Sequence, residues 1–304
     1  CTQCHKSEIF DTPKHHLHKA ENSGAQCVNC HMPETTYMGV DPRRDHSFRI
    51  PQPNLTKTLG LPNACNTCHN DKSVNWASHK VSWLKKSNQK AVHFAQAIYA
   101  GRKQWSTGHD LLNNLANNHE EANIVKATAL SLLVQYPTQK TLDTAIASLK
   151  SADSKVQRSA LSIIEMLPIE QSYQYLVPLL NKNNSYSNKA IRMAIANVLA
   201  ALPLTALSKD NAQQLTRAQA EYIASQRVNN DTANSHQNLA LFYAKQGKTT
   251  QAEQFYKTAL KVNPNFVPAM VNLADLYRQI NKDDQASSLL FKAVKVMPEN
   301  PLAQ

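Results

Sequence analysis

The sequence predicts an all-α chain: an N-terminal region of coil and short helices, unusually rich in cysteine, followed by an α-solenoid. Three observations predict it. All six cysteines fall in the first 68 of 304 residues, as three pairs of identical spacing. From about Asp71 onward apolar residues recur every three or four positions, as in ALSLLVQYP and AIRMAIANVLAALP, the period of an amphipathic helix. The C-terminus repeats itself at an interval of 34 residues. Only 6 glycines are present, which argues against a loop-rich or all-β fold. The length allows two or three domains, with expected bounds 1–72, 73–226 and 227–304.

The cysteine pairs read CTQCH (Cys1, Cys4, His5), CVNCH (Cys27, Cys30, His31) and CNTCH (Cys65, Cys68, His69). CxxCH is the attachment pattern of a c-type haem. Two thiols three residues apart reach the two vinyl groups on one porphyrin edge. The next residue then lies under the iron, where histidine is the proximal ligand. A structural zinc site would need no histidine beside every pair, and a thioredoxin-like CxxC needs a βαβ context that is missing here. The expected cofactor is therefore haem c, three in this chain. With three haems in 69 residues the porphyrins form much of the core, and Lys6–Gln26 and Met32–Ala64 are expected to be mostly coil around them.

An iron that only transfers electrons takes a sixth ligand. The candidates are His15, His16 and His18 in KHHLH, and His46 in DPRRDHSFRIPQP. His79, in NWASHKV, reads as an ordinary helix residue. Met32 follows a proximal histidine directly and cannot reach the opposite face of that haem, so bis-histidine ligation is expected. Arg43, Arg44 and Arg49 suit bidentate pairing with haem propionates, or are plain surface arginines.

The segment from Asp11 to Ala77 resembles the multihaem cytochromes that carry tetratricopeptide repeats. More distantly it is similar to the late part of cytochrome c nitrite reductase and the hydroxylamine oxidoreductase relatives. They share a histidine shortly before CxxCHMP, a histidine-containing loop ending in proline, and a final CxxCH. The resemblance implies that His18 and His46 are distal ligands and that Cys27, Cys30 and His31 bind the penultimate haem. It carries no catalysis over: the catalytic haem of those relatives lies upstream, lysine-ligated in many, and no CxxCK occurs here. No catalytic residue is expected.

In the remainder, Leu239, Ala240, Tyr243, Ala252, Ala259 and Pro264 recur 34 residues later as Leu273, Ala274, Tyr277, Ala286, Ala293 and Pro298. That is the tetratricopeptide period, with small residues where two helices touch. Gly247 becomes Asn281, and both accept left-handed geometry. Val125, Ala129, Leu130, Leu133 and Pro137 recur after 31 residues as Val156, Ala160, Leu161, Ile164 and Pro168. This is the looser pattern of HEAT-like hairpins, with a generic helical bundle as the alternative. Stacked hairpins present a concave face, expected to be lined by Asn238, Phe242, Asn272 and Arg278.

The net charge of +11 sits mostly in the helical part: up to Lys72 there are 8 basic and 7 acidic residues. The lysines are scattered singly, as on solvated helix faces, so nucleic acid is not an expected partner. No run of eighteen apolar residues suggests a membrane span. Haem attachment takes place outside the cytoplasm, so a periplasmic or extracellular protein is expected, and one cut from a longer exported chain. The expected function is electron transfer to redox partner proteins or to further haems of the same assembly. Two alternatives stand beside it: the electron-entry segment of a multihaem reductase of small nitrogen or sulfur oxyanions, and a subunit of an extracellular cytochrome filament or other homo-oligomer.

Overall fold

A computed structural model describes residues 1–82, 93–181, 183–184 and 187–299. The chain is all-α and forms a helical-repeat solenoid with tetratricopeptide hairpins at its C-terminal end. It divides into two compact units, Cys1–Tyr99 and Ala100–Gln304.

The first unit is built from short pieces: α1 (Ser7–Phe10), α2 (Pro13–His16), α3 (Cys27–His31), strands β1 (Glu34–Tyr37) and β2 (Asp41–Arg44), α4 (Asn54–Leu59), α5 (Ala64–Cys68) and α6 (Val74–Ser82). Pro13 opens α2 with its fixed φ. Leu17 closes it in a left-handed conformation, φ 63°, which separates His18 from the α2 histidines. Asn63 caps α5 by accepting from the Asn66 N–H.

The antiparallel β1–β2 hairpin was not expected; that stretch reads as coil in the sequence. It forms because Met38 and Gly39 both take positive φ, 50° and 77°, and so close a tight turn. Pro42 is tolerated because each strand of a two-stranded ribbon is an edge. Among the described residues of this unit the buried apolar side chains are Ala25, Leu55, Ala77 and Ala97. Three of the four are alanines, so the described residues of this unit supply almost no apolar core.

The second unit has an ordinary core. Helix α7 (Phe94–Arg102), of which only the last residues belong to this unit, is followed by hairpins α8 (Gly108–Asn117) with α9 (Asn123–Leu133) and α10 (Gln139–Ser148) with α11 (Ser154–Ile164), then by α12 (Ile169–Leu176) and α13 (Lys189–Val198). A long α14 (Lys209–Arg227) precedes α15 (Ala233–Lys245) with α16 (Thr249–Val262), and α17 (Val267–Gln279) with α18 (Asp283–Val296). Thr138, Asp153, Asn188, Ser208 and Thr232 each start a helix by accepting a backbone N–H two or three residues on. The repeat-equivalent helices α9, α11 and α13 stack in series, burying Leu130, Leu133, Leu161, Ile164, Ile191 and Ile195.

Polar side chains tie successive hairpins at offsets near thirty residues. Thr144 Oγ1 donates to Asn113 Oδ1 at 2.8 Å, and Asn188 Nδ2 donates to Gln157 Oε1 at 3.1 Å. Arg192 holds Glu221 through two bonds of 3.0 Å each.

In the C-terminal hairpins Ala240, Ala252, Ala259, Ala274 and Ala293 are 0% exposed, which lets paired helices approach closely. Gly247 and Asn281 both take left-handed turns, φ 70° and 57°. Phe242 departs from expectation. It does not line a surface but is fully buried, its ring 4.9 Å from that of Tyr222 on α14. It follows Leu239 by three residues and so shares the apolar stripe that α14 covers. Asn238 is exposed and bonds Gln226, and Arg278 is exposed.

Candidate functional site

Each CxxCH motif lies on one helical turn. In the first, the N–H groups of Cys4 and His5 both donate to Cys1 O, at 3.1 and 2.9 Å. The second is α3 and the third is α5, with His69 at its C-terminal end. Residues three apart share a helix face, so both thiols of a pair emerge on one side. No two of the six cysteines are joined by a disulfide. Helices α3 and α5 pack together. Burial pushes the Cys30 thiol up, and the nearby Cys65, Cys68 and Cys27 add to it. Cys65 is likewise raised, chiefly by burial.

The histidines fall into an ordered set. His18 Nδ1 lies 2.5 Å from His16 O, His31 Nδ1 lies 2.9 Å from Arg49 O, and His46 Nδ1 lies 2.8 Å from Arg44 O. A carbonyl oxygen only accepts, so Nδ1 carries the proton in all three rings. The neutral imidazole then keeps its lone pair on Nε2. His16 is the reverse. Its Nδ1 accepts from the His18 N–H at 3.2 Å, and its Nε2 is buried without a hydrogen-bond partner among the described residues.

Two pairs of rings face each other. His15 and His31 have centroids 6.1 Å apart and planes 12° apart; His18 and His69 have centroids 5.8 Å apart and planes 27° apart. Each pair joins a motif histidine to one from KHHLH. Burial, followed by the neighbouring His31, holds the His15 pKa below its ordinary value. Metal–imidazole bonds run about 2.0–2.1 Å, so two imidazoles across one metal hold their centres roughly 6 Å apart.

Three residues that sequence reasoning did not single out touch this set. Phe10 lies between His5 and His15, with centroids at 5.3 and 5.5 Å. Trp76 packs on His69 at 4.9 Å. Gly24 passes so near His18 that a Cβ there would lie 2.4 Å from the ring's Cδ2. None has a sequence signal beyond proximity to a motif. The sequence does not tell which of the KHHLH histidines meets which motif.

The three arginines are already engaged. Arg43 pairs with Asp41 at 2.6 Å and lies over the Tyr37 ring. Arg44 donates to Met32 O at 3.2 Å and Val28 O at 3.4 Å, carbonyls at the end of α3. Arg49 lies over the Phe94 ring. His79 is exposed on α6.

Among the described residues no group of three or more His, Cys, Asp or Glu is placed to share one metal ion. The arrangement is one of facing pairs, not of clusters. Around them large apolar side chains stand in the open: Phe48 is 64% exposed, Ile50 68% and Ile9 54%.

A family model for the tetratricopeptide repeat matches residues 243–304. The C-terminal hairpins are tetratricopeptide repeats. That match covers Tyr243 onward, including α16, α17 and α18. No curated protein matches the chain. Among the described residues no helix is long and apolar enough to cross a membrane. The C-terminal hairpins are thus a helical-repeat scaffold of the kind that serves protein–protein contact. Between α16, α17 and α18 lies a shallow depression of about 590 Å³ whose lining includes Lys257, Lys261, Tyr277 and Asp284. Lys257 there is held by Glu253 at 2.6 Å.

Proposed function

We propose that this chain is an electron-transfer protein that binds three c-type haems in its first unit and uses its helical repeats to dock or assemble with other proteins. The observation that carries the reading is the pairing of motif histidines with KHHLH histidines at a spacing that fits one metal between two imidazoles. The scarcity of buried apolar side chains in the first unit, beside exposed Phe48 and Ile50, fits a region whose core is completed by flat apolar groups.

Such haems supply a one-electron ferric/ferrous couple. The protein's part is to hold and tune them. Cys1 and Cys4, Cys27 and Cys30, and Cys65 and Cys68 provide the thioether sulfurs. His5, His31 and His69 provide the proximal nitrogens. On this reading His15 stands opposite His31 and His18 opposite His69, while His46, with Nε2 likewise left unprotonated, serves another iron. His16 has its Nδ1 engaged as an acceptor and stands outside the ligand set. Arg43, its side chain 66% exposed, is available to pair with a propionate. Two histidine ligands per iron would leave no position for a substrate, so these residues would serve the passage of electrons. The proposed site of action is the periplasm or cell surface, where haem attachment occurs.

Mass spectrometry of the denatured protein is expected to show three covalent haem additions, and ferric spectra to be low-spin throughout. The bare polypeptide mass would overturn the reading. A high-spin component would overturn the bis-histidine assignment.

A further inference from the structure

The segment from Arg44 to Ile50 holds two of the imidazoles at once. His46 Nδ1–H donates to Arg44 O and His31 Nδ1–H donates to Arg49 O, at 2.8 and 2.9 Å. The segment is fastened to the end of α3 by backbone bonds from Asp45 N–H to Pro33 O, 3.0 Å, and from Arg49 N–H to His31 O, 3.1 Å. The Arg44 guanidinium completes the attachment. It reaches Met32 O and Val28 O, and its other nitrogen lies 3.8 Å from Glu34, its cross-strand partner.

We propose that Arg44 is a positioning residue for His31: its guanidinium fixes the last turn of α3 against the 44–50 segment and so sets the His31–Arg49 hydrogen bond. This rests on the three-haem reading above. A hydrogen bond at Nδ1 makes the imidazole a stronger donor through Nε2, and a stronger donor favours ferric iron. Nη1 alone donates to both carbonyls while Nη2 faces Glu34, a planar two-nitrogen fork between carbonyls and carboxylate that the single ammonium of lysine does not reproduce. The charge of Arg44 acts separately, because removing a nearby positive charge also favours ferric iron. Arg44→Lys keeps the charge and loses the fork, so it isolates the positioning effect.

The test is a potentiometric titration of the full, haem-loaded chain with electron paramagnetic resonance of the low-spin signals. Arg44→Lys is expected to raise one of three potentials, shifting that haem's ferric/ferrous ratio roughly tenfold, 59 mV for one electron. One low-spin signal should move and the other two stay. Arg44→Met should move the same haem by less, since lost charge opposes lost positioning. Unchanged potentials in Arg44→Lys, or three that shift together, would overturn the proposal. So would a fall in Arg44→Met with no change in Arg44→Lys, the signature of charge alone. If Arg44→Met does not load its haems, Arg44→Lys decides. Fewer than three haem additions in the unaltered chain would remove the reading beneath the proposal; three additions with unmoved potentials would remove only the role of Arg44.

Discussion

Replacing all six motif cysteines with serine is expected to leave residues 1–99 without protected amides, while residues 100–304 stay helical. The described residues of the first unit bury too little apolar surface to hold it together. Burying a large aliphatic side chain contributes about 1.5–3 kcal/mol, and among its described residues only Leu55 is of that kind. Ordering one residue's backbone opposes folding by about 1–2 kcal/mol. A unit of this length with three alanines and one leucine inside is far from balance unless something else fills it. The second unit has its own buried leucines, isoleucines, Phe242 and Tyr256. Hydrogen exchange read by mass spectrometry would follow the two units separately. Slow exchange through 27–69 in the serine variant would mean that the polypeptide holds this fold unaided, and the case for a haem-filled core would fall.

The second large effect is expected at Arg192. Its side chain is 11% exposed and that of Glu221 20% exposed, and the two meet through a bidentate pair between α13 and α14. Breaking a buried pair by removing one partner costs about 3–5 kcal/mol, because the other charge is left stranded. The residual exposure puts Arg192→Met at the low end of that range. The double change Arg192→Met with Glu221→Leu should recover most of the loss, since well-packed apolar residues often replace such a pair without penalty. Denaturant melts followed by far-ultraviolet circular dichroism would measure both. A loss below about 1 kcal/mol for the single change would place the pair with solvent-screened surface bridges.

The repeats were the most legible part of the sequence, because a solenoid writes its packing into local spacing. The buried alanines of α16, α17 and α18 fall where the 34-residue period put them, and the left-handed turns at Gly247 and Asn281 follow from residue type. Phe242 was misjudged because the face of a helix covered by a preceding element depends on that element, here α14 with Tyr222, and not on the repeat. The β1–β2 hairpin was hidden by Pro42, which reads as loop when the strand has no visible partner. The motif residues are legible one by one. Their partners are not: the meeting of His15 with His31 and of His18 with His69 is made by the fold, across 16 and 51 residues. The same holds for Arg44, whose carbonyl partners lie twelve and sixteen residues back.

Gly24 sits against His18 with no special backbone angle to require glycine; only the space above its Cα is missing. Its constraint is thus inherited from a neighbour's side chain. Any residue with a β-carbon at position 24 would have to push the His18 ring out of its present place. If a lineage lost that histidine, the glycine would be released with it, and the two positions would vary together although neither belongs to a CxxCH motif.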